Sequence, residues 1–357
     1  MGEKPTLVSL ARDLGVSRQT VSNAINAPHR VKPATLERVR KAITESGYRP
    51  HVAGRQLRTR RSRNLAMRLH PASDGINGSI LDRFLHALTE SAQRQGYRLT
   101  LFTAHDDEGE IAAVDELLST ADIDGFVLTG THHGDSRTAW LLDHQVPFVC
   151  FGRPWSTQVD PFEARHSWVD VDGASGTAEA TALLLGRGHR RIGFLGWPAG
   201  SGVGDDRRAG WLRALARAGL IDEGAAAHSV GVEDSVSSGA RAAGELFDQG
   251  TTALVCASDS LALGALAAWR EAGLPDDEGE PPVIGFDDTP VAAALGLSSV
   301  RQPIEEVAEH VVANLVHQLA AAPSRGVQPH HQLLPSTLVV RRPDPHLLGR
   351  EPPTPSQ

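Results

Sequence analysis

The chain has 357 residues, of which 40% are hydrophobic, and its formal net charge is -8. It is long enough to bury a large core and to divide into two or three domains. Its two cysteines, Cys150 and Cys256, argue against a disulfide framework and favour reduced thiols. No apolar run resembles a signal peptide or reaches the roughly 18 residues of a membrane helix, so we expect a cytoplasmic protein without membrane contact.

The charge is distributed unevenly along the chain. Residues 1–63 hold 14 lysines and arginines against 4 acidic residues, whereas residues 64–357 hold 21 against 39. A basic segment suits a phosphate backbone, and an acidic remainder repels the same polyanion. Charge alone is equally consistent with a solvated basic surface that binds no DNA, so the choice between the two depends on the local sequence pattern.

The segment from Thr6 to Asn26 predicts two short helices joined by a turn. Apolar residues recur at helical spacing in both halves, Gly15 supplies the turn, and Ser17 caps the second helix. This is a helix-turn-helix pattern, in which the second helix enters the major groove of DNA. The polar side chains that this helix would present outward are Arg18, Gln19, Ser22 and Asn23.

A third helix is predicted from Pro33 to Ser46, with Gly47 ending it and Tyr48 and Pro50 forming an extended connector. Residues 51–63 follow, with five arginines and a weak helical signal. Such a segment is either a flexible linker or a segment that folds only where phosphates neutralise it.

From Asn64 onward, short apolar runs alternate with helical stretches. This alternation predicts parallel sheets covered on both faces, and its two successive series predict two α/β lobes. A small-molecule site is expected at the carboxyl ends of the strands. The predicted strands are residues 65–69, 97–102, 125–130, 147–151, 168–171, 191–196, 252–257 and 282–286. The predicted helices are Ile80–Gln95, Ile111–Ser119, Gly176–Gly186, Asp205–Ala218, Val236–Gln249 and Leu261–Glu271.

Two motifs superficially suggest catalysis or metal binding. The glycine-rich stretch 200–206 lacks the spacing of a dinucleotide loop. The adjacent histidine pairs 132–133 and 330–331 lack metal-ligand spacing and are interpreted as solvated loop residues. No nucleophile has a recognisable base, so we expect no catalytic residues, no metal and no cofactor.

Several motifs occur in one order over residues 5–342, and together they resemble the lactose/galactose repressor (LacI) family of bacterial regulators. They are TLVSLARDLGVSRQTVSNAIN, YRP, VAGRQL, LGRGHRRIGFLG, DDRRAGWLRAL, ASDSLALGAL, VIGFDDTP and SVRQP. Several motifs in a fixed order are more specific than a helix-turn-helix alone.

The resemblance implies an N-terminal all-α helix-turn-helix head over residues 5–50 and a hinge helix and linker over 51–63. It implies an α/β periplasmic-binding-protein-like core of two doubly wound parallel-sheet lobes over 64–342, which binds the effector and dimerises. A flexible proline-rich tail, 343–357, follows and lacks a leucine heptad, so we expect a homodimer on a pseudo-palindromic operator.

For DNA binding, the resemblance implies that Arg18, Gln19 and Asn23 read bases. It also implies that Leu57 enters the minor groove at the operator centre, with Arg55 and Gln56 beside it. The remaining predicted DNA-binding residues are Thr6, Ser17, Thr20, Ser22 and Asn26.

For the effector, the resemblance places Arg207 and Asp287 against ligand oxygens, and Ser258 where an asparagine is common. Arg153 follows a strand near the lobe crossover, and Gly152 replaces a frequent aspartate. Candidate aromatic platforms are Trp155, Trp168 and Trp197, whereas Trp140, Trp211 and Trp269 are predicted to be helix packing. Asp234 stands where some relatives place a tryptophan. Asp74 and Asn77 are added because they lie in the loop after the first strand.

The expected function is a repressor of carbohydrate-utilisation genes, released from its operator by a mono- or oligosaccharide. The alternative is a regulator that binds DNA only with a purine-type corepressor. A periplasmic sugar receptor would have no use for the basic head, and a nucleotide-dependent enzyme would need a phosphate loop that is missing.

Overall fold

The computed structural model describes residues 5–48, 61–69, 78–120, 123–155, 160–221, 228–276, 281–321 and 328–341. The chain forms two compact units, Met1–Ser62 and Arg63–Gln357. Within the described ranges, no helix has the length and apolar character that a bilayer crossing requires.

The first unit contains three α-helices. They are α1 (Leu7–Leu14), α2 (Arg18–Asn26) and α3 (Pro33–Ser46). The turn between α1 and α2 depends on Gly15, whose φ of 64° is left-handed and whose N–H donates to the carbonyls at the end of α1. The predicted helix-turn-helix is therefore present.

A small apolar core holds the three helices together. Its buried members are Leu10, Ala11, Val21, Ala24, Val39 and Tyr48. Tyr48 follows the end of α3, as predicted, and its side chain is buried at 6% exposure. Its ring covers the end of the core because three short helices alone leave apolar surface unburied.

The first lobe of the second unit is a parallel sheet of six strands in the order β11-β5-β4-β3-β1-β2. The strands are β1 (Asn64–Leu69), β2 (Arg98–Thr103), β3 (Gly125–Leu128), β4 (Phe148–Phe151), β5 (Ser167–Asp172) and β11 (His331–Pro335). The helices are α4 (Gly78–Arg94), α5 (Asp107–Thr120), α6 (Ser136–Asp143) and α12 (Ile304–Ala320). Two hydrophobic clusters, one on each face, cover the sheet.

The second lobe repeats the arrangement with the order β12-β10-β9-β8-β6-β7, in which only β12 runs antiparallel to its neighbour. The strands are β6 (Ile192–Gly196), β7 (Ser229–Gly231), β8 (Ala253–Cys256), β9 (Val283–Phe286), β10 (Ser299–Arg301) and β12 (Thr337–Val339). The helices are α7 (Gly173–Gly186), α8 (Val203–Arg217), α9 (Val236–Asp248), α10 (Asp259–Glu271) and α11 (Pro290–Ala294).

The chain passes between the lobes three times: from β5 to α7, from β10 to α12, and from β11 to β12. Two of these crossings touch, because the Ser336 hydroxyl donates to the Asp172 carbonyl at 2.8 Å. Short segments that connect two lobes in this way are where hinge rotation is expected.

The predicted fold class, an all-α head and two doubly wound lobes, is confirmed. The eight predicted strands and six predicted helices of the core are present, with their ends shifted by a few residues. Sequence periodicity gave no separate prediction for α6, α11, α12, β7, β10, β11 or β12, several of which are only three to five residues long.

Candidate functional site

The candidate nucleic-acid interface is the outward face of α2. Arg18 and Gln19 are exposed, and Asn23 is half-buried. The Gln19 amide donates to the Asn23 side-chain oxygen at 2.9 Å, one helical turn away. The bond holds the Gln19 and Asn23 amides side by side on one face of α2, where each amide offers both a donor and an acceptor.

Two of the hydroxyl residues predicted to bind DNA, Thr6 and Ser17, are the N-caps of α1 and α2. Ser17 accepts from the Thr20 N–H at 3.0 Å, and the two hydroxyls lie 2.8 Å apart. Thr6 caps α1 reciprocally with Ser9. Both helix starts therefore have a side-chain cap that accepts a backbone N–H, that of Ser9 in α1 and that of Thr20 in α2.

Five predicted site residues lie outside the described residues: Arg55, Gln56 and Leu57 of the hinge, and Asp74 and Asn77 of the loop after β1. Asn26 lies in the last turn of α2.

A cavity of about 140 Å³ lies between the lobes, at the carboxyl ends of strands from both sheets. The parallel topology explains the position, since these ends carry the loops that face the other lobe. Its apolar lining includes Phe151, Trp155, Val203 and Phe286, and its polar lining includes Thr131, Asp170, Asp206, Arg207 and Gln302.

Arg153 bridges the two lobes at the cavity wall. Its Nε lies 2.9 Å from Asp170 of the first lobe, and its Nη2 lies 2.9 Å from Asp206 of the second. Burial raises the pKa of Asp170 to about 6, although the Arg153 charge opposes the shift. Burial also raises the pKa of Asp206, again against the Arg153 charge. One guanidinium thus links two desolvated carboxylates across the cleft.

Arg207 lies in α8 with its side chain almost fully buried. Its guanidinium carbon sits 3.6 Å from the centre of the Phe286 ring, and Nη1 donates to the Ala257 carbonyl. Asp287 lies 3.8 Å from Nη1 and accepts a hydrogen bond from Gln302. Burial raises the pKa of Asp287 to about 7, and burial lowers that of Arg207.

Two further predicted effector residues, Asp234 and Ser258, form a hydrogen-bonded pair in the second lobe. The Ser258 hydroxyl donates to Asp234 at 2.5 Å, and Ser258 also caps α10 by accepting from the Leu261 N–H. Asp234 also adds a negative charge close enough to favour the charged form of Arg207. The structure therefore brings Arg153, Arg207, Asp234, Ser258 and Asp287 to one region.

The predicted tryptophans separate into two groups. Trp155 lines the cavity, with Arg153 over its ring at 4.6 Å, and Trp197 lies beside Arg207 at 5.1 Å. The prediction for Trp168 was wrong: its side chain has 0% exposure and its indole donates to the Pro161 carbonyl. Trp168 stands near the amino end of β5, whereas the cleft is at the carboxyl end.

Packing of the other tryptophans was predicted correctly. Trp211 and Trp269 are buried in the second-lobe core, and Trp140 packs partly against the first-lobe core. Gly152 has a φ of 117°, and a Cβ there would meet the Thr131 hydroxyl at 2.3 Å. A side chain cannot replace this glycine without moving Thr131.

Asp170 and Asp206 are site residues that the sequence reasoning did not select. Asp170 is a buried acid inside an apolar strand, and Asp206 precedes the recognised arginine of α8. The sequence does contain a signal for Asp170, since an acidic residue within an apolar strand is buried and a buried charge requires a partner.

The interpretation of the four histidines as solvated loop residues was wrong for His331. His331 belongs to β11, half-buried, and stacks on Trp168. His132 lies 3.1 Å from Asp107, and with Asp135 they form a group close enough to hold a metal ion. Arg137 pairs with both carboxylates, most closely with Asp135 at 2.6 Å.

Comparison with known proteins agrees with the head and the core. Residues 6–51 match the model of bacterial regulatory proteins of the lacI family, and residues 181–342 match a periplasmic binding protein-like domain. The chain is 32% identical over 349 residues to the HTH-type transcriptional regulator CelR of Thermobifida fusca, covering 95% of this chain and 98% of that one. GalS of Salmonella typhimurium is 31% identical over 94% of this chain and 95% of its own length.

Solved structures show the same architecture. A CelR-cellobiose complex superposes with a TM-score of 0.69 at 30% identity, covering 94% of this chain and 99% of that chain. A lac repressor dimer bound to operator superposes with a TM-score of 0.77 at 24% identity, covering 95% and 98%.

A helix-turn-helix head joined to a two-lobed periplasmic-binding-protein-like core defines a DNA-binding transcriptional regulator. The chain belongs to the lacI family of bacterial regulatory proteins, as its sequence motifs predicted.

Proposed function

We propose that the protein is a homodimeric repressor of carbohydrate-utilisation genes, that it acts in the cytoplasm, and that a small sugar releases it from a palindromic operator. Relatives of more than 30% identity are regulators, and the CelR structure contains cellobiose. The observation that carries the proposal is the cleft between the lobes, where buried polar groups lie beside aromatic and apolar side chains.

Two buried N–H donors at the cleft have no acceptor among the residues that the structure describes. Arg207 Nε and Trp155 Nε1 are buried and make no hydrogen bond in the protein. An unsatisfied buried donor costs about 1–3 kcal/mol, and a ligand that accepts from it recovers this energy. Sugar hydroxyls both donate and accept, so they suit these donors and the neighbouring carboxylates Asp170 and Asp206.

Effector binding would act on DNA through the hinge. The predicted hinge segment 51–63 leads directly into β1 of the first lobe, so rotation of the lobes about the three crossings changes where the chain leaves that lobe. Arg18 would pair with a guanine and Gln19 with an adenine, each contributing about 1–3 kcal/mol of discrimination. Two heads in a dimer would supply two half-sites, and Leu57 would separate the central base step.

The proposal is tested by DNA-binding assays with the region upstream of the protein's own gene. We expect ligand-free protein to bind one palindrome and one saccharide to abolish binding. Guanine and hypoxanthine are tested in the same assay. If the protein binds the operator only when one of these purines is present, the protein is a corepressor-dependent regulator and the proposed release by a sugar is contradicted. Sedimentation of the DNA-free protein should give a dimer, and a tetramer would contradict the assignment.

We also propose that the protein has no catalytic activity, because its cleft acids are held by arginines. The saccharide that releases DNA should be recovered unchanged after prolonged incubation with the protein, as measured by chromatography. Conversion into a product would overturn this part of the proposal.

A further inference from the structure

We infer that the effector is an uncharged monosaccharide, bound as a single ring in the cavity between the lobes. The inference rests on the proposed sugar-responsive function and concerns the size and charge of the sugar. Its first support is volume. The cavity measures about 140 Å³, close to the volume of about 150 Å³ of a cavity that binds one benzene molecule, and two linked sugar rings need more than twice the space of one benzene ring.

The cavity cannot widen without breaking contacts between the lobes. Arg153 of the first lobe pairs with Asp206 of the second at 2.9 Å, and His133 lies 3.8 Å from Asp205. Trp155 also packs on Gly202, where a Cβ would lie 2.5 Å from the ring. A disaccharide would have to separate these pairs, whereas a single ring leaves them intact. The effector would then be smaller than the cellobiose in the structure of the relative.

The charges around the cavity argue against an anionic sugar. Arg153 is paired with both Asp170 and Asp206, and Arg207 faces Asp287. Three buried carboxylates thus lie beside two guanidiniums, so an anionic sugar would have to compete with these carboxylates for Arg153 and Arg207. Adding an anion would increase repulsion in a site of low dielectric.

The hydrogen-bonding groups that remain match neutral hydroxyls. Arg207 is nine-tenths buried or more, and its Nε has no hydrogen-bond partner, as is also true of Trp155 Nε1. Asp170 Oδ2 receives no hydrogen bond, although it is ion-paired with Arg153. A hydroxyl that accepts from Arg207 or Trp155 and donates to Asp170 satisfies groups that an apolar ligand would leave unpaired.

Isothermal titration of the full-length protein tests the inference. The probes are glucose, galactose, mannose, xylose, arabinose and ribose, then cellobiose, lactose, maltose and trehalose, then glucose 6-phosphate and galacturonate. We expect one neutral monosaccharide to bind and the disaccharides and anions to bind at least about a hundredfold more weakly. A disaccharide or an anionic sugar that binds more tightly would overturn the inference and leave the sugar-responsive function standing. Binding of a purine with no response to any sugar would overturn both.

A cavity-filling variant locates the site. Val203 lines the cavity, so V203F should weaken monosaccharide binding about tenfold to a hundredfold. The matched control is V291F, at a valine that is 41% exposed on α11 and does not line the cavity. Both variants should keep the far-ultraviolet circular dichroism of the wild type. Unchanged affinity in a folded V203F protein would contradict a single-ring site in this cavity.

Discussion

In the head, Arg18 lies exposed on α2, whereas in the core Arg207 is only 5% exposed and lies against Phe286. The same residue type serves two binding tasks under opposite physical conditions. A polyanion such as DNA attracts solvated cations over a distance, and its affinity depends on salt. A small polar ligand needs donors that are already desolvated and fixed in position, because burial strengthens each hydrogen bond. The core therefore compensates its buried cations with carboxylates, and the head leaves Arg18 on its surface.

The largest effect should follow from removing a buried cation in the core. Arg137 is 2% exposed and pairs with Glu110 at 2.7 Å and Asp135 at 2.6 Å. R137M should reduce the free energy of unfolding by about 3–5 kcal/mol, because it leaves buried carboxylates without a partner. Urea denaturation measures the loss, and R217M, at an exposed arginine of α8, is the control that should change little. Equal effects of the two variants would remove the distinction between buried and exposed cations.

The second-largest effect should be a pH dependence of the free energy of unfolding, which arises from a buried carboxyl group in the core. Burial raises the pKa of Asp259 to about 6, from about 3.8 in the unfolded chain. The folded protein therefore retains a proton that the unfolded chain releases, so this contribution is complete below pH 3.8 and is lost as the pH rises through 6. D259N can still accept from the Thr289 N–H.

Relative to wild type, D259N should gain up to about 3 kcal/mol of unfolding free energy between pH 4 and pH 7.5. Urea denaturation of both proteins at the two pH values measures this difference. D13N, at an exposed aspartate of α1, is the control and should show no such trend. A difference between D259N and wild type that does not vary with pH would show that Asp259 is ionised in the folded state throughout.

An intermediate effect is expected for DNA recognition. R18A should weaken operator binding by about 1–3 kcal/mol, or roughly tenfold to a hundredfold, with a smaller effect on unrelated DNA. R12A, at an exposed arginine of α1, should weaken binding to both DNAs alike if it changes binding at all. Fluorescence anisotropy at two salt concentrations measures both. Loss of affinity without loss of sequence preference in R18A would reassign Arg18 to a phosphate contact.

The smallest effect should come from a helix cap in the head. S17A removes the acceptor of the Thr20 N–H and should reduce the free energy of unfolding of the head by about 1 kcal/mol. S17T keeps the acceptor and should retain most of that stability. Calorimetry can follow the head transition separately if the two units unfold independently. A loss in S17T as large as that in S17A would indicate a steric rather than a capping role.

The sequence by itself determined the helix-turn-helix, the alternation of strands and helices, and the membership of the lacI family. These depend on local signals: Gly15 at a left-handed turn, Ser17 at a cap, and apolar residues at helical or strand spacing. Motif matching also selected Arg207 and Asp287, which stand directly beside a recognisable strand end or helix start.

Only the tertiary structure decided which side chains meet at the cleft. Asp170 and Asp206 are 36 residues apart in the sequence, and Arg153 joins them because two lobes place their strand ends together. Trp168 looked like a loop platform, yet its position at the amino end of β5 buries it in the core. The physical reason is that periodicity records which face of an element is buried, whereas long-range contacts depend on chain crossings that no local pattern encodes.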